Sequence, residues 1–299
     1  MVTRVRIFGR RCPGCHRRVR GEAPTTMPAG SPFGPLVVTM LAYLHHHHAV
    51  GYDRLSGLMA DLFGLFISEG AIANALRRSS RVLKRAGAAI VGRLRSATVI
   101  DCDETGARLT TDTLGTRMGW EWVLVSDTAV PHCIRTSRGR DVVTDVLEGH
   151  RPCCWISDCW GDQQEHAETQ QDCLAHVLRG VQCAVDAGEP CFAPSLHCLL
   201  CWVIAVGRRR KTLKVSTLAQ YRATADRRLD RLLAMPAVTA AGVELQRQTK
   251  RRRVQFFTFM TDRDVPPTNN AADWALCPSV IFRKVTNGFC SFGAPTSMS

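Results

Sequence analysis

Near residue 97 the apolar pattern changes period. Upstream, over residues 35–95, apolar positions recur at helical spacing. Downstream, Ala97–Asp103, Trp120–Val125 and His132–Thr136 are short runs of β-branched and aromatic residues separated by turn residues. A helical pattern over 139–149 follows, then a short apolar strand, Cys153–Ser157, and helical patterning from about 163 to 187. The order is three antiparallel strands, a helix, a strand and a helix. It predicts an α/β sheet of the ribonuclease H type. Residues 190–260 lose the strand signal and alternate Leu/Ala-rich stretches with dense Arg and Lys, so an all-helical insertion is expected there. The expected segments are a basic tail (1–34), a helical region (35–95), an α/β core (96–189 and 262–294), the insertion (190–261) and a short tail (295–299).

Charge narrows the partners. The chain of 299 residues carries a formal net charge of +13, and its basic residues cluster at 17–20, 77–78, 208–211 and 250–253. Such clusters suit a polyanion, above all nucleic acid, although solubility alone also uses surface charge. No apolar run reaches the roughly 20 residues of a membrane-spanning helix, and no signal peptide opens the sequence. A cytoplasmic protein without a membrane partner is expected.

Within 35–95, Gly64 breaks the helical pattern and Ser68 is a plausible N-cap. Ile72, Leu76 and Leu83 fall on one helix face, and Arg77, Arg78, Arg81 and Lys84 fall away from it. A short helix followed by a basic one suggests a helix-turn-helix-like element on DNA; any amphipathic hairpin gives the same pattern. Cys12-Pro-Gly-Cys15 has the spacing of a zinc knuckle, but tetrahedral zinc needs two further ligands and no second such pair follows nearby. The His45–His48 run reads as partly exposed helix residues.

Three acids stand out by position. Asp103 ends the first strand, Asp158 follows the fourth, and Asp273 opens the last helix after Asn269-Asn270. Strand ends in one sheet can supply two carboxylates and a helix over that edge a third. Such a set holds two hard divalent ions about 4 Å apart, which serve phosphoryl transfer. Each acid also has a purely local explanation. Asp103 and Asp158 could shape turns before Gly106 and Gly161, and Asp273 could stabilise a helix N-terminus as the third position after an Asn270 cap.

The strings IDCDETG, WISD, CLAHVLR and PPTNNAADWALCPSVIFRKVTNGFCS resemble the catalytic half of bacterial insertion-sequence transposases of the family numbered sixty-six, from about residue 10 to 294. The resemblance implies a DD(E/D) enzyme with a ribonuclease H-like catalytic core interrupted by a helical insertion. It implies metal-dependent cleavage and strand transfer of a mobile element. Carried over, Asp103, Asp158 and Asp273 are the catalytic acids and hold two Mg²⁺ or Mn²⁺ ions. Cys173, His176 and Arg179 match a segment that supports the site or binds DNA, and Arg283 and Lys284 lie in the last motif as further DNA contacts. Cys12 and Cys15 match a zinc-binding (Zn²⁺) segment. The implied partners are the element's ends and target DNA, bound by a homo-oligomer.

The departures from the family pattern are local. The third acid is normally Glu followed by Arg, whereas here Asp273 is followed by Trp274. Cys290 stands where Arg is expected, and the sequence after Gly293 diverges. Arg codons mutate readily to Cys and Trp codons, which suggests a decaying copy. The alternative function is therefore a catalytically inactive DNA-binding remnant. A zinc-dependent regulator built on Cys12, Cys15 and the His run is a third reading, and it leaves the three acids unexplained.

Overall fold

The computed structural model describes residues 5–25, 27, 33–111, 115–286 and 288–290. The chain divides into two compact units. One comprises Met1–Ala86, Thr110–Thr113 and Val280–Ser299; the other comprises Gly87–Leu109 and Leu114–Ser279. The class is α/β.

In the first unit, β1 (Gly9–Arg11) and β2 (Arg18–Arg20) form an antiparallel ribbon with Gly9 opposite Arg20. Helices α1 (Pro35–His46) and α2 (Tyr52–Phe63) follow, and α3 (Glu69–Leu94) begins here. Pro35 opens α1, where its missing N–H costs nothing. Gly64 ends α2 in the left-handed region, φ 60°, which glycine adopts without Cβ strain. The Ser68 hydroxyl accepts from the Ala71 N–H, as expected of a cap. Leu41, Leu55, Met59, Ile67, Ile72 and Leu76 form a small core. Leu83, expected on that face, is half exposed instead, because α3 runs on past the core it shares with α1 and α2.

In the second unit the sheet follows the order β5 (His132–Arg135), β4 (Gly115–Val125), β3 (Val99–Thr111), β6 (Cys154–Ser157), β7 (Thr169–Asp172). β4 and β5 pair antiparallel; β3 with β6 and β6 with β7 pair parallel. β3 and β4 are longer than their apolar runs, since their outer halves are polar. Between β5 and β6 lies α4 (Asp141–Leu147), packing Val142, Val143, Val146 and Leu147 onto Ile100, Cys102, Trp122 and Trp155. The other face carries Cys154 and Ile156 beneath α5 (Leu174–Asp186), α6 (Phe192–Arg208), α7 (Val215–Ala234) and α8 (Ala240–Arg252). Period-2 alternation along β6 thus feeds two cores. Residues 190–260, expected to be an all-helical stretch, carry α6, α7, α8 and two short 3-10 turns and no strand.

The helical expectation for 163–187 fails before Leu174, where β7 is a strand. Its residues, Thr169-Gln170-Gln171-Asp172, carry no apolar alternation, so the usual strand signal is missing. Tertiary partners supply what the pattern lacks. The Gln171 amide donates to the Phe256 carbonyl and accepts from the Phe259 N–H, so a buried polar strand is satisfied from the chain that returns after α8.

α9 (Asn270–Thr286) starts one residue earlier than expected. The Asn269 carbonyl accepts from the Ala272 and Asp273 N–H groups, so Asn269 sits at the helix entrance rather than Asn270. Ala272 and Leu276 pack on Val123 of β4.

Candidate active site

The β3–β6 register places Asp101 opposite Ile156 on parallel strands. Continued by two residues, that register sets Asp103 in β3 level with Asp158, the residue just past the end of β6. Parallel neighbours lie about 4.8 Å apart, so both acids emerge at one sheet edge. Asp103 is half-buried, and its carboxylate accepts from the Glu104 N–H at 2.9 Å. Asp158 is also half-buried; its Oδ1 accepts from the Trp160 N–H at 2.9 Å, which folds the chain back just past the strand.

The third acid comes from above. The first turn of α9 brings the Asp273 carboxyl into hydrogen-bond contact with Asp103. Burial, the hydrogen bond and the repulsion of Asp273 push the Asp103 carboxyl up to about 8. A carboxylate this close disfavours a second negative charge on Asp103. Asp273 is one methylene shorter than Glu, yet the helix entrance is near enough for it to reach Asp103.

Asp101 is the fourth member, and sequence reasoning passed over it. It lies on the same face of β3 as Asp103, only 4% exposed. Its Oδ2 accepts from the Ala272 N–H at 3.3 Å, which ties β3 to the first turn of α9, while Oδ1 has no partner. Burial, then the charges of Asp103 and Asp273, push this carboxyl well above the usual range. The IDCDE string contained it, but alternation alone could not say which of two acids would be covered by the helix.

A second set flanks Asp158. Glu104 pairs with Arg138 at 2.8 Å and accepts from the Gln163 amide. Burial and then the charge of Asp158 raise the Glu104 carboxyl, and Arg138 opposes both. The Arg138 guanidinium lies 4.0 Å from the Trp160 ring centroid and 4.5 Å from that of Trp120. Asp172, fully buried at the end of β7, receives both prongs of Arg252 at 2.7 Å. A third Arg252 N–H donates to the Cys159 carbonyl at 2.9 Å, so one guanidinium fixes the backbone directly after Asp158. Arg252 belongs to the 250–253 cluster, which its charge suggested would face a polyanion. It is turned inward instead, and Arg253 pairs with Asp230.

The other expected residues fall as follows. Arg179 is exposed on α5. His176 is half-buried with its Nδ1 unpartnered, and Cys173 is buried at the entrance of α5. Arg77 and Arg78 are exposed on α3, and Lys284 is exposed and Arg283 half-buried on α9. The side chains of Arg81 and Cys290, and residues 291–299, lie outside the described residues. Cys12 and Cys15 sit in the β1–β2 turn, where N–H groups of Cys15 and Gly14 and the Cys15 thiol lower the Cys12 thiol.

Among the described residues no group of three or more His, Cys, Asp or Glu is placed to hold a metal ion. At the sheet edge, carboxylate oxygens are the donors a hard divalent cation prefers. The Asp103–Asp273 contact and the Oδ1 of Asp101, which has no hydrogen-bond partner among the described residues, would suit a bound cation. The fit is that of an adjacent pair with Asp158 level beside it, not of a closed three-ligand shell.

The family model described as Transposase IS66 family matches residues 30–294. The chain belongs to that family. No protein with a curated description matches it. Among the described residues of this IS66-family chain, no helix is long and apolar enough to cross a membrane. All four buried or half-buried acids at the sheet edge, Asp101, Asp103, Asp158 and Asp273, lie inside the matched span.

Proposed function

We propose that this protein is a transposase which cleaves the ends of a mobile DNA element and joins them to target DNA, with Asp103, Asp158 and Asp273 as its catalytic acids. The observation that carries the reading is the convergence of Asp103 and Asp158, level on adjacent parallel strands, with Asp273 from α9 touching Asp103. The strand order β5-β4-β3-β6-β7, antiparallel on one side and parallel on the other, supports a ribonuclease H-like core. The three acids would hold Mg²⁺ or Mn²⁺, which when bound helps to activate an attacking oxygen and to neutralise the phosphodiester. Asp101 is a positioning residue, through the Ala272 N–H, for the helix that carries Asp273. Arg252 has the same role for the chain after Asp158. Arg77, Arg78 and Arg179 are exposed cations suited to backbone phosphates, and the working form is a homo-oligomer on DNA.

The test is nicking and strand joining of plasmid DNA with Mn²⁺ by the purified protein, beside Asp103→Ala and Asp273→Glu. Activity in the unmodified protein, lost in Asp103→Ala by about a thousandfold or more, is expected.

One observation favours a second reading, an inactive DNA-binding remnant. Trp274 is 71% exposed beside Asp273, where the family pattern has a cation. Activity only in Asp273→Glu would mean that the fold is sound and this copy failed at its third acid. DNA binding by all three proteins without turnover would favour the remnant.

A further inference from the structure

Residues 187–253 hold fourteen Lys and Arg against four acids, and all four acids are engaged. Asp226 pairs with Arg222, Asp230 with Arg253 and Glu244 with Arg247. Glu189 accepts from the Val238 and Thr239 N–H groups and the Thr239 hydroxyl. On α7 this leaves Arg227, Arg228 and Arg231 with no carboxylate among the described residues, and of these Arg227 is held by the Ala223 carbonyl and the Thr224 hydroxyl, which leaves Arg228 and Arg231. They are one turn apart, so they project on one side of the helix. Between them and α6 lies a cavity of about 420 Å³, within the size range of small-ligand sites. Its walls are otherwise uncharged: Pro194 and Leu199 from α6 and Leu232 from α7, with Ser195 and Cys198 as small polar groups. The Arg228 guanidinium lies 5.1 Å from the Trp202 ring centroid, which restrains the side chain beside the opening.

We propose that this cavity binds a nucleotide unit of a DNA strand, its phosphate on Arg228 and Arg231 and its sugar against Pro194, Leu199 and Leu232. Two guanidiniums one turn apart can take the two non-bridging oxygens of one phosphodiester. The apolar wall suits the only apolar surface a DNA backbone offers, the face of the deoxyribose. The site is separate from the carboxylates, so it binds and orients DNA without touching the reacting phosphate. Naming DNA as the ligand rests on the transposase reading; the cavity and its cations do not.

Binding of a labelled oligonucleotide, single-stranded and duplex, to the full chain across a salt series tests it. The double variant Arg228→Ala/Arg231→Ala is expected to weaken binding about tenfold in at least one form and to lower the salt slope by about 1. Ser195→Tyr, which narrows the cavity without changing charge, is expected to weaken binding similarly. Arg227→Ala, on the same helix but outside the lining, should change it less than about twofold. In the unmodified protein, DNA should protect Cys198 from iodoacetamide and leave Cys183, exposed on α5, reactive. This readout decides the matter if a variant fails to fold. Equal loss in Arg227→Ala, no loss in the double variant, or no protection of Cys198 overturns the proposal. Plasmid nicking is read separately: its absence with intact oligonucleotide binding overturns the catalytic reading and leaves the cavity standing.

Discussion

Acids are treated in opposite ways on the sheet edge and in the helices α6–α8. In and beside those helices every acid has a cation or a set of N–H donors: the ion pairs of Asp226, Asp230 and Glu244 are partly or largely solvent-exposed, and Glu189, buried just before α6, takes its N–H donors from Val238 and Thr239 at the entrance of α8. At the sheet edge, Asp101, Asp103 and Asp273 face each other across buried ground, and the nearest compensation is one backbone N–H on Asp101 and one on Asp103. The first arrangement contributes little to stability and costs little. The second costs stability at neutral pH, and a protein keeps such a cost where charge is needed for binding or chemistry. Asp172 and Arg252 stand between the two. They form a buried pair that joins the end of α8 to the end of β7, the last strand of the sheet.

That contrast can be broken or sharpened by substitution. The largest expected effect is at the buried pair. Arg252→Met strands the Asp172 carboxylate and should cost about 3–5 kcal/mol in urea unfolding, with much of it recovered when Asp172→Asn is added. An equal loss in the single and double variants would mean that packing, not charge, holds α8.

Next comes the sheet edge itself. The Asp103 carboxyl moves from 3.8 to about 8 on folding. Between those values the unfolded chain releases the proton and the folded chain keeps it, so metal-free stability falls as pH rises and levels off above pH 8. Asp103→Asn removes that dependence. Its stability relative to the unmodified protein should therefore grow by about 2 kcal/mol between pH 4 and 8.5, solvent around the half-buried carboxyl limiting the gain. Mn²⁺ should raise the melting temperature of the unmodified protein but not of Asp103→Asn. A flat difference with pH would remove the argument that these acids are held against their preference.

A smaller effect is expected at Glu104, whose side chain is 1% exposed while that of Arg138 is 33% exposed. Arg138→Ala should cost about 1–2 kcal/mol by thermal unfolding, since Gln163 still donates to the carboxylate. At the bottom is Glu244→Gln in α8. Its pair with Arg247 is solvent-exposed at both ends, and no change in melting temperature beyond scatter is expected.

Much of the candidate site was legible before any coordinates. Apolar alternation located the inner half of β3 and β6; Asp158 does follow the end of β6, whereas Asp103, expected at a strand end, lies inside β3, which runs on to Thr111 through polar residues that carry no apolar signal. The Asn-rich entrance of α9 located Asp273, misjudged by a single residue. Three things were not legible. β7 has no apolar period, so only its pairing with β6 and the bonds to Gln171 reveal it. Asp101 and Asp103 are equivalent by alternation, and only the descent of α9 decides that one is sealed and the other half-open. Arg252 is indistinguishable in sequence from its neighbours Arg251 and Arg253, and only the approach of α8 to β7 turns it inward.

The sequence by itself determined the class of fold and the family and singled out three acids as candidates, because period, composition and short motifs are local properties of the chain. Tertiary structure alone decided which acids meet, which cations are spent on pairing and which remain open beside a cavity. Those outcomes depend on contacts between residues as far apart as Asp101 and Ala272, or Asp172 and Arg252. Separation of that size leaves no periodic trace in the chain. Its energies come from burial and from charges meeting at a few ångströms, and these exist only once the chain has closed on itself.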